Sequence, residues 1–249
     1  MSIKEKFKKT IKQLASNFLL KKLYHKTNYY YKFIFLKYFS GSVSSIFEDI
    51  YKNKRWGENN ISVSGPGSEN AQTKIIIKKI PEVLEKYSIK NILDIPCGDF
   101  NWMKEIRLDG ISYIGADIVT DIVNTNIDSY QSENISFVKL NIIEDDLPEV
   151  DMIFCRDCLV HFSNQDLFKA LRNIASSKSR YLLTTNFSNR KKNIDIATGM
   201  WRPLNLKKAP FFLPAPIEVM NEGCTEGDGD FKDKELAIWE INSLKSFLN

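Results

Sequence analysis

Two carboxylates and one glycine cluster at the end of an apolar run, in Asn91-Ile92-Leu93-Asp94-Ile95-Pro96-Cys97-Gly98-Asp99-Phe100-Asn101-Trp102. A short apolar segment closing on an acid and then broken by Pro and Gly predicts a buried strand, a tight turn and a helix start near Asn101. A second apolar run, Ser112-Tyr113-Ile114-Gly115-Ala116, also ends on an acid, Asp117. Adjacent parallel strands that each deliver a carboxylate at their C-terminal ends form the crevice where open α/β sheets bind nucleotide-like ligands. A pyrophosphate would need G-x-G-x-x-G, and this turn offers only Gly98, with Asp94 and Asp99 where the phosphates would lie. Acids at those positions favour a cationic ligand, and Asp117 suits the two hydroxyls of a ribose. The residues expected on this ligand are Asp94, Pro96, Gly98, Asp99, Trp102, Asp117 and Ile118.

A second constellation follows the fourth expected strand, in Cys155-Arg156-Asp157-Cys158-Leu159-Val160-His161. Of the two histidines, His25 and His161, only His161 sits at a strand-to-helix mouth, with Asp157 near enough in sequence to orient it. His161 and Asp157 are therefore the candidate general bases. Arg156, which also borders the cofactor side, and Arg202 are candidate bidentate holders of an anionic acceptor. Trp56, Ser64, Ser68 and Trp201 complete the expected acceptor side. Cys155 and Cys158 form a C-x-x-C pair, and Cys97 would leave a neighbouring strand; with no second pair, no metal is expected.

The elements that must position these groups are legible from periodicity. Helices are expected over 44–54, 70–87, 121–130 and from Ser163 or Asn164 to about Ser176. Strands are expected over 91–95, 112–116, 135–140, 150–155 and 179–187, with two closing antiparallel strands near 216–220 and 236–241. Asn141 and Ile142 follow the third strand. The glycine- and serine-rich run Ser62–Ser68 could fold over a bound cofactor as a lid. Residues 193–216, irregular and aromatic, have the character of a functional segment.

Residues 1–40 hold ten lysines against one acid, so the remaining chain carries a small acidic excess despite a net charge of +4. This head alternates Lys4, Lys6, Lys8, Lys9 and Lys12 with Ile3, Phe7, Ile11 and Leu14, as a helical cap or a membrane- or partner-docking surface would. Nucleic acid is not an expected partner. The expected division is a basic N-terminal extension and lid over 1–69 and a ligand-binding domain over 70–249. Four cysteines without an apolar leader point to a cytoplasmic protein, with the head as the means of any peripheral contact at the inner membrane face.

The Leu93–Asp99 turn resembles the first motif of class I methyltransferases that use S-adenosylmethionine, with Pro96 and Phe100 standing where that family has glycines. Residues 47–241 further resemble bacterial methyltransferases associated with capsule and surface-glycan loci. The matching text is Trp56-Gly57, Ser64-Gly65-Pro66-Gly67-Ser68, Asp94 to Trp102, Ile114 to Val119, Cys155 to His161, and Trp201-Arg202-Pro203-Leu204-Asn205-Leu206. The resemblance implies a Rossmann-like α/β fold, a seven-stranded mostly parallel sheet with helices on both faces and a helical N-terminal cap. It implies S-adenosylmethionine as cofactor, with Asn141 and Ile142 at its adenine where that family often has an acid, and methyl transfer to an oxygen of a sugar, or to the phosphoryl or phosphoramidate group of a capsule precursor. Two other readings are a nucleotide-sugar or NAD-linked Rossmann enzyme, which the missing glycines disfavour, and a non-catalytic, membrane-docked protein of a biosynthetic complex.

Overall fold

The computed structural model describes residues 41–56 and 62–248; the basic head, with its expected helices, lies outside the described residues. The described elements run α1 (Val43–Lys52), α2 (Asn70–Lys86), β1 (Asn91–Asp94), β2 (Ser112–Asp117), α3 (Thr120–Tyr130), β3 (Ile135–Lys139), β4 (Met152–Cys155), α4 (Asn164–Ser176), β5 (Tyr181–Phe187), β6 (Glu218–Asn221), β7 (Lys234–Glu240) and α5 (Ile241–Leu244). They form a seven-stranded sheet in the order β3-β2-β1-β4-β5-β7-β6. The first five strands pair in parallel, and β7 runs antiparallel to both β5 and β6.

The alternation of side chains along each strand explains the layering, because neighbours in sequence point to opposite faces. Leu93, Ile153, Leu182 and Trp239 face one way and pack with Leu167, Leu171 and Ile174 of α4 and Leu244 of α5. Ile92, Met152, Phe154 and Leu183 face the other way and pack with Ile76, Ile80 and Leu84 of α2 and Val123 of α3. With both faces covered, the central strands are apolar throughout rather than alternating. The order reverses direction between β1 and β4, which places the carboxyl ends of β2, β1 and β4 around one crevice.

One expected element differs. After β1 the chain makes only a 3₁₀ turn at Met103–Glu105 before reaching β2. Seventeen residues separate Asp94 from Ser112 inclusive of the turn at Pro96–Phe100, and the return path must span the length of a strand. A helix advances about 1.5 Å per residue against about 3.3 Å for extended chain, so a short turn with extended flanks crosses with fewer residues. Trp102 and Met103 are buried beneath it.

The N-terminal ends of the central strands are fastened by one carboxylate. Asp151 accepts the backbone N–H groups of Lys90 at 2.8 Å and Asn91 at 3.3 Å, and pairs with Arg180 at 2.9 Å. Burial alone would raise the Asp151 carboxyl, but the Lys90 N–H and Arg180 outweigh it and hold it below its usual value of 3.8. Asp151→Ala should cost about 1–3 kcal/mol, the loss of hydrogen bonds made to a charged group. Thermal denaturation should show a Tm lower by roughly 3–10 °C. Because the carboxylate stabilises the fold only while ionised, the deficit should shrink as pH falls below 3.8.

Candidate functional site

A cavity of about 480 Å³ opens along the carboxyl edge of the sheet. From β2 it is lined by Asp117, Ile118 and Val119; from β1 and its turn by Asp94, Pro96, Cys97, Gly98 and Asp99; from β4 by Phe154, Arg156, Asp157, Cys158 and His161; and from β5 and β7 by Phe187 and Lys234. Strands lie about 4.8 Å apart, so the cavity extends roughly 20 Å from Asp117 to Lys234. Its two ends differ in character.

The β2–β1 end holds two buried acids, Asp94 at 3% and Asp117 at 5% exposure. Asp94 accepts the Tyr113 hydroxyl at 2.6 Å. Burial pushes its carboxyl up to about 8; the Tyr113 hydrogen bond and Arg156 work against this, and the charge of Asp117 adds to it. Asp117 accepts the N–H groups of Val119 at 2.9 Å and Gly98 at 3.1 Å, which restrain its carboxyl to about 6 against the effect of burial. Phe154, Trp102, Ile118 and Val119 supply apolar walls. Gly98 is required by its backbone, with φ +55°, and by space: a Cβ there would lie 2.2 Å from the Ser64 hydroxyl oxygen.

Asp99 serves the loop. Its carboxylate accepts the Ser62 hydroxyl at 3.0 Å and the Val63 N–H at 3.0 Å, while its own N–H donates to the Ser64 hydroxyl at 3.2 Å. Ser64, Gly65, Pro66, Gly67 and Ser68 consequently roof the cavity. The Asn101 side chain adds a contact to the Ser68 carbonyl at 3.4 Å. Asn141 and Ile142 are not among the lining residues. The Asn141 side chain caps its own turn, accepting from the Ile143 N–H at 3.0 Å and donating to Glu144 at 3.1 Å.

At the β4–β5–β7 end the charges are paired. Arg156, expected to hold an anionic acceptor, instead donates to Glu222 from Nε at 3.0 Å and Nη2 at 2.7 Å, and to the Gly67 carbonyl at 2.9 Å. Burial would lower its guanidinium, but Glu222 and Asp157 outweigh that and hold it protonated. Lys234 donates to Asp157 at 2.6 Å. Burial would raise the Asp157 carboxyl, yet Lys234 and Arg156 hold it well below the usual carboxylate range. Asp157 is thus an ion-pair anchor, a poor proton acceptor, and it makes no hydrogen bond to His161. Arg202 is not a lining residue either; it donates to the Phe162 carbonyl and to Asn164.

His161 is oriented by the backbone. Its Nδ1 lies 2.9 Å from the Met200 carbonyl oxygen, which fixes Nδ1 as the protonated nitrogen and leaves Nε2 as an acceptor. Burial lowers the imidazole to about 4, against the Met200 hydrogen bond, so it is neutral near pH 7. Trp56 stacks on it with centroids 4.7 Å apart and an angle of 29°, and Phe47 of α1 packs edge-on against Trp56 at 6.1 Å. Trp201 meets Phe231 at 4.9 Å and Phe187 at 6.0 Å. The irregular segment that carries Trp201 is held to the β4 turn by Gly199 N–H to the His161 carbonyl at 2.8 Å and Arg202 N–H to the Val160 carbonyl at 3.1 Å.

The sequence reading did not single out Phe47, Tyr51, Glu226, Phe231 or Lys234, all of which line the cavity. Phe47 and Tyr51 stand four apart on an amphipathic helix, a spacing that marks a shared face. The glycines and acids of Gly223–Asp230 between the closing strands are the available sign of the other group. All four cysteines are buried and unbridged, and among the described residues no set of three or more His, Cys, Asp or Glu side chains is arranged to hold a metal ion.

No family model matches the sequence, and no curated protein does. Among solved structures, the chain is similar to human N-acetylserotonin methyltransferase in complex with SAM, at 12% identity and a TM-score of 0.52, over 82% of this chain and 61% of that one. It is also similar to PigF with SAH, at 14% identity and a TM-score of 0.52, over 78% of this chain and 62% of that one. The chain spans about three-fifths of the length of each. At these identities the likeness is one of fold: the chain has the Rossmann-like architecture of class I methyltransferases.

If Asp99 fastens the roof, Asp99→Ala should release it. Hydrogen exchange read by mass spectrometry should then speed up at Val63 and Ser64 by tenfold or more, with the strands unaffected; unchanged exchange would show that other contacts hold the loop.

Proposed function

We propose that the chain is an S-adenosylmethionine-dependent methyltransferase acting on an oxygen of a small molecule or glycan precursor. The observation that carries this reading is the pair of buried carboxylates, Asp94 and Asp117, at the ends of adjacent parallel strands beside a turn with one glycine. A pyrophosphate would meet two acids and no phosphate-cradling loop, which argues against a dinucleotide. A ligand with a ribose and a positively charged amino acid end fits. Asp117 would accept from ribose hydroxyls, Asp94 faces the charged end, and the walls at Phe154, Trp102 and Ile118 suit an adenine. When bound, such a cofactor supplies an electrophilic methyl carbon for in-line displacement by the acceptor oxygen.

This chain's contribution is then alignment and proton handling. His161 enters neutral, with Nε2 able to take the proton of an attacking hydroxyl, while the Met200 carbonyl stabilises the imidazolium that forms. Asp157, already bound to Lys234, does not compete for that proton. The roof of Ser64–Ser68 limits water at the reacting atoms. Membership of a capsule or surface-glycan pathway, a cytoplasmic location and contact with a membrane or biosynthetic complex through residues 1–40 belong to the same proposal. They rest on the sequence resemblance, on the charge of the head and, for the location, on the cysteine usage. Among the described residues no helix is long and apolar enough to cross a membrane.

Calorimetric titration with S-adenosylhomocysteine and, separately, NAD tests the cofactor. The first should bind and the second should not, and Asp117→Ala should lower affinity by tenfold or more. Since the Asp117 carboxyl sits at about 6, affinity should fall as pH drops from 7 to 5 and this carboxylate is protonated. Binding of NAD alone would overturn the reading.

His161→Ala should lower kcat by roughly 10²–10⁴, the usual range for a lost general base, with S-adenosylhomocysteine affinity changed little. With its imidazole near 4, His161 should impose no acid limb on kcat/KM above about pH 5. Full kcat in the variant would remove it from the proton path.

A further inference from the structure

The acceptor half of the cavity is aromatic and electrostatically closed to anions. Arg55, Arg156 and Lys234 are the arginines and lysines among its lining residues, and each is already held by an acid: Arg55 by Asp49 at 2.6 Å, Arg156 by Glu222 at 2.7 Å and Lys234 by Asp157 at 2.6 Å. His161 lies beside them as a neutral ring. On the same side of the cavity stand two lining carboxyls, Asp157 and Glu226. A phosphoryl or carboxylate acceptor would lose its hydration and meet no cation in surplus, a cost that only pairing offsets. Aromatic rings, by contrast, are abundant: Trp56, Phe187, Trp201 and Phe231 surround the His161 and Lys234 side of the cavity.

From this combination, and resting on the methyl-transfer reading above, we infer that the acceptor presents an uncharged hydroxyl on a saturated sugar ring, and that the Asp157–Lys234 pair is the device that rejects its phosphorylated counterparts. A pyranose lays an apolar C–H face on an aromatic surface and turns hydroxyl donors outward. Asp157, whose side chain is 24% exposed, and Glu226 are the carboxylates available to accept from them. The reacting hydroxyl gives its proton to His161 Nε2 as its oxygen takes the methyl carbon and the carbon–sulfur bond breaks. The pair excludes anions because Asp157 cancels the Lys234 charge. Specificity then comes from an unfavourable placement of the wrong ligand.

The test uses the full chain and methyl glycosides of glucose, galactose and mannose, each beside its 6-phosphate. Binding is followed by tryptophan fluorescence and saturation-transfer NMR, and transfer by labelled methyl from S-adenosylmethionine. At least one neutral glycoside should bind tenfold or more tightly than its phosphate and should accept the label. Asp157→Asn, folded by circular dichroism, should gain phosphate affinity by tenfold or more, because Lys234 is then uncancelled; a misfolded chain cannot mimic a gain. Equal or tighter binding of the phosphates by the natural chain, silence across the whole panel, or no gain in Asp157→Asn would each overturn the inference. Neutral glycosides that bind a chain unable to bind S-adenosylhomocysteine would support the inference about the sugar while refuting methyl transfer.

Discussion

Burial of Asp94 and Asp117 is the constraint around which the rest of the molecule is arranged. A carboxylate taken out of water is costly unless it is paired, protonated or hydrogen-bonded. The sheet places both at strand ends, Asp94 with the Tyr113 hydroxyl and Asp117 with two backbone N–H groups, and gives neither a direct salt bridge. Their carboxyls consequently sit at about 8 and 6. Raised values of this kind favour the folded chain in acid, and the benefit is lost as pH rises through them. Near neutrality Asp94 therefore keeps its proton while Asp117 is ionised, and the β2–β1 end carries one buried negative charge held by two backbone N–H groups.

The opposite end solves its electrostatics internally. Arg156, Glu222, Asp157 and Lys234 form a compact set of two cations and two anions, with Glu222 Oε1 buried and lacking a hydrogen bond. Replacing such a set with apolar groups often costs nothing in stability, so its presence calls for another account. Here the cluster has a positional one. Arg156 donates to the Gly67 carbonyl, and a Cβ on Gly67 would lie 3.0 Å from the Asp157 carboxylate. The roof is thus seated on the ion cluster at one end and clasped by Asp99 at the other, so a single loop joins the two halves of the cavity.

The sequence made the scaffold legible for a physical reason: buried parallel strands and amphipathic helices write their periods directly into the chain. All seven strands and the helices at 43–52, 70–86, 120–130 and 164–176 fall where hydrophobic spacing placed them, within a few residues. The missing helix after β1 was not legible, because Asn101–Glu105 is compatible with a helix and only the span it must cross decides otherwise. Most residues of the β2–β1 end could be named in advance, since they follow their strands immediately. Partners could not. Arg156 and Glu222 are 66 residues apart, Lys234 and Asp157 are 77 apart, and the charge of each says nothing of which acid will claim it. The orientation of His161 escaped for a similar reason, because its partner is a backbone carbonyl, which every residue has.

These long-range pairings decide what the fold can accept. Had the donors of both Arg156 and Arg202 been available to the cavity, the chemistry nearest to hand would have been recognition of a phosphate or carboxylate, as residue types alone suggest. Their engagement with Glu222, the Gly67 carbonyl, the Phe162 carbonyl and Asn164 turns them into supports for the roof and for the segment that carries Trp201. That end of the cavity presents mainly aromatic surface, one neutral imidazole and the paired charges of Arg156, Asp157 and Lys234. Guanidinium groups spent on structure thereby leave a site that looks cationic in sequence with every lining arginine and lysine already paired to an acid.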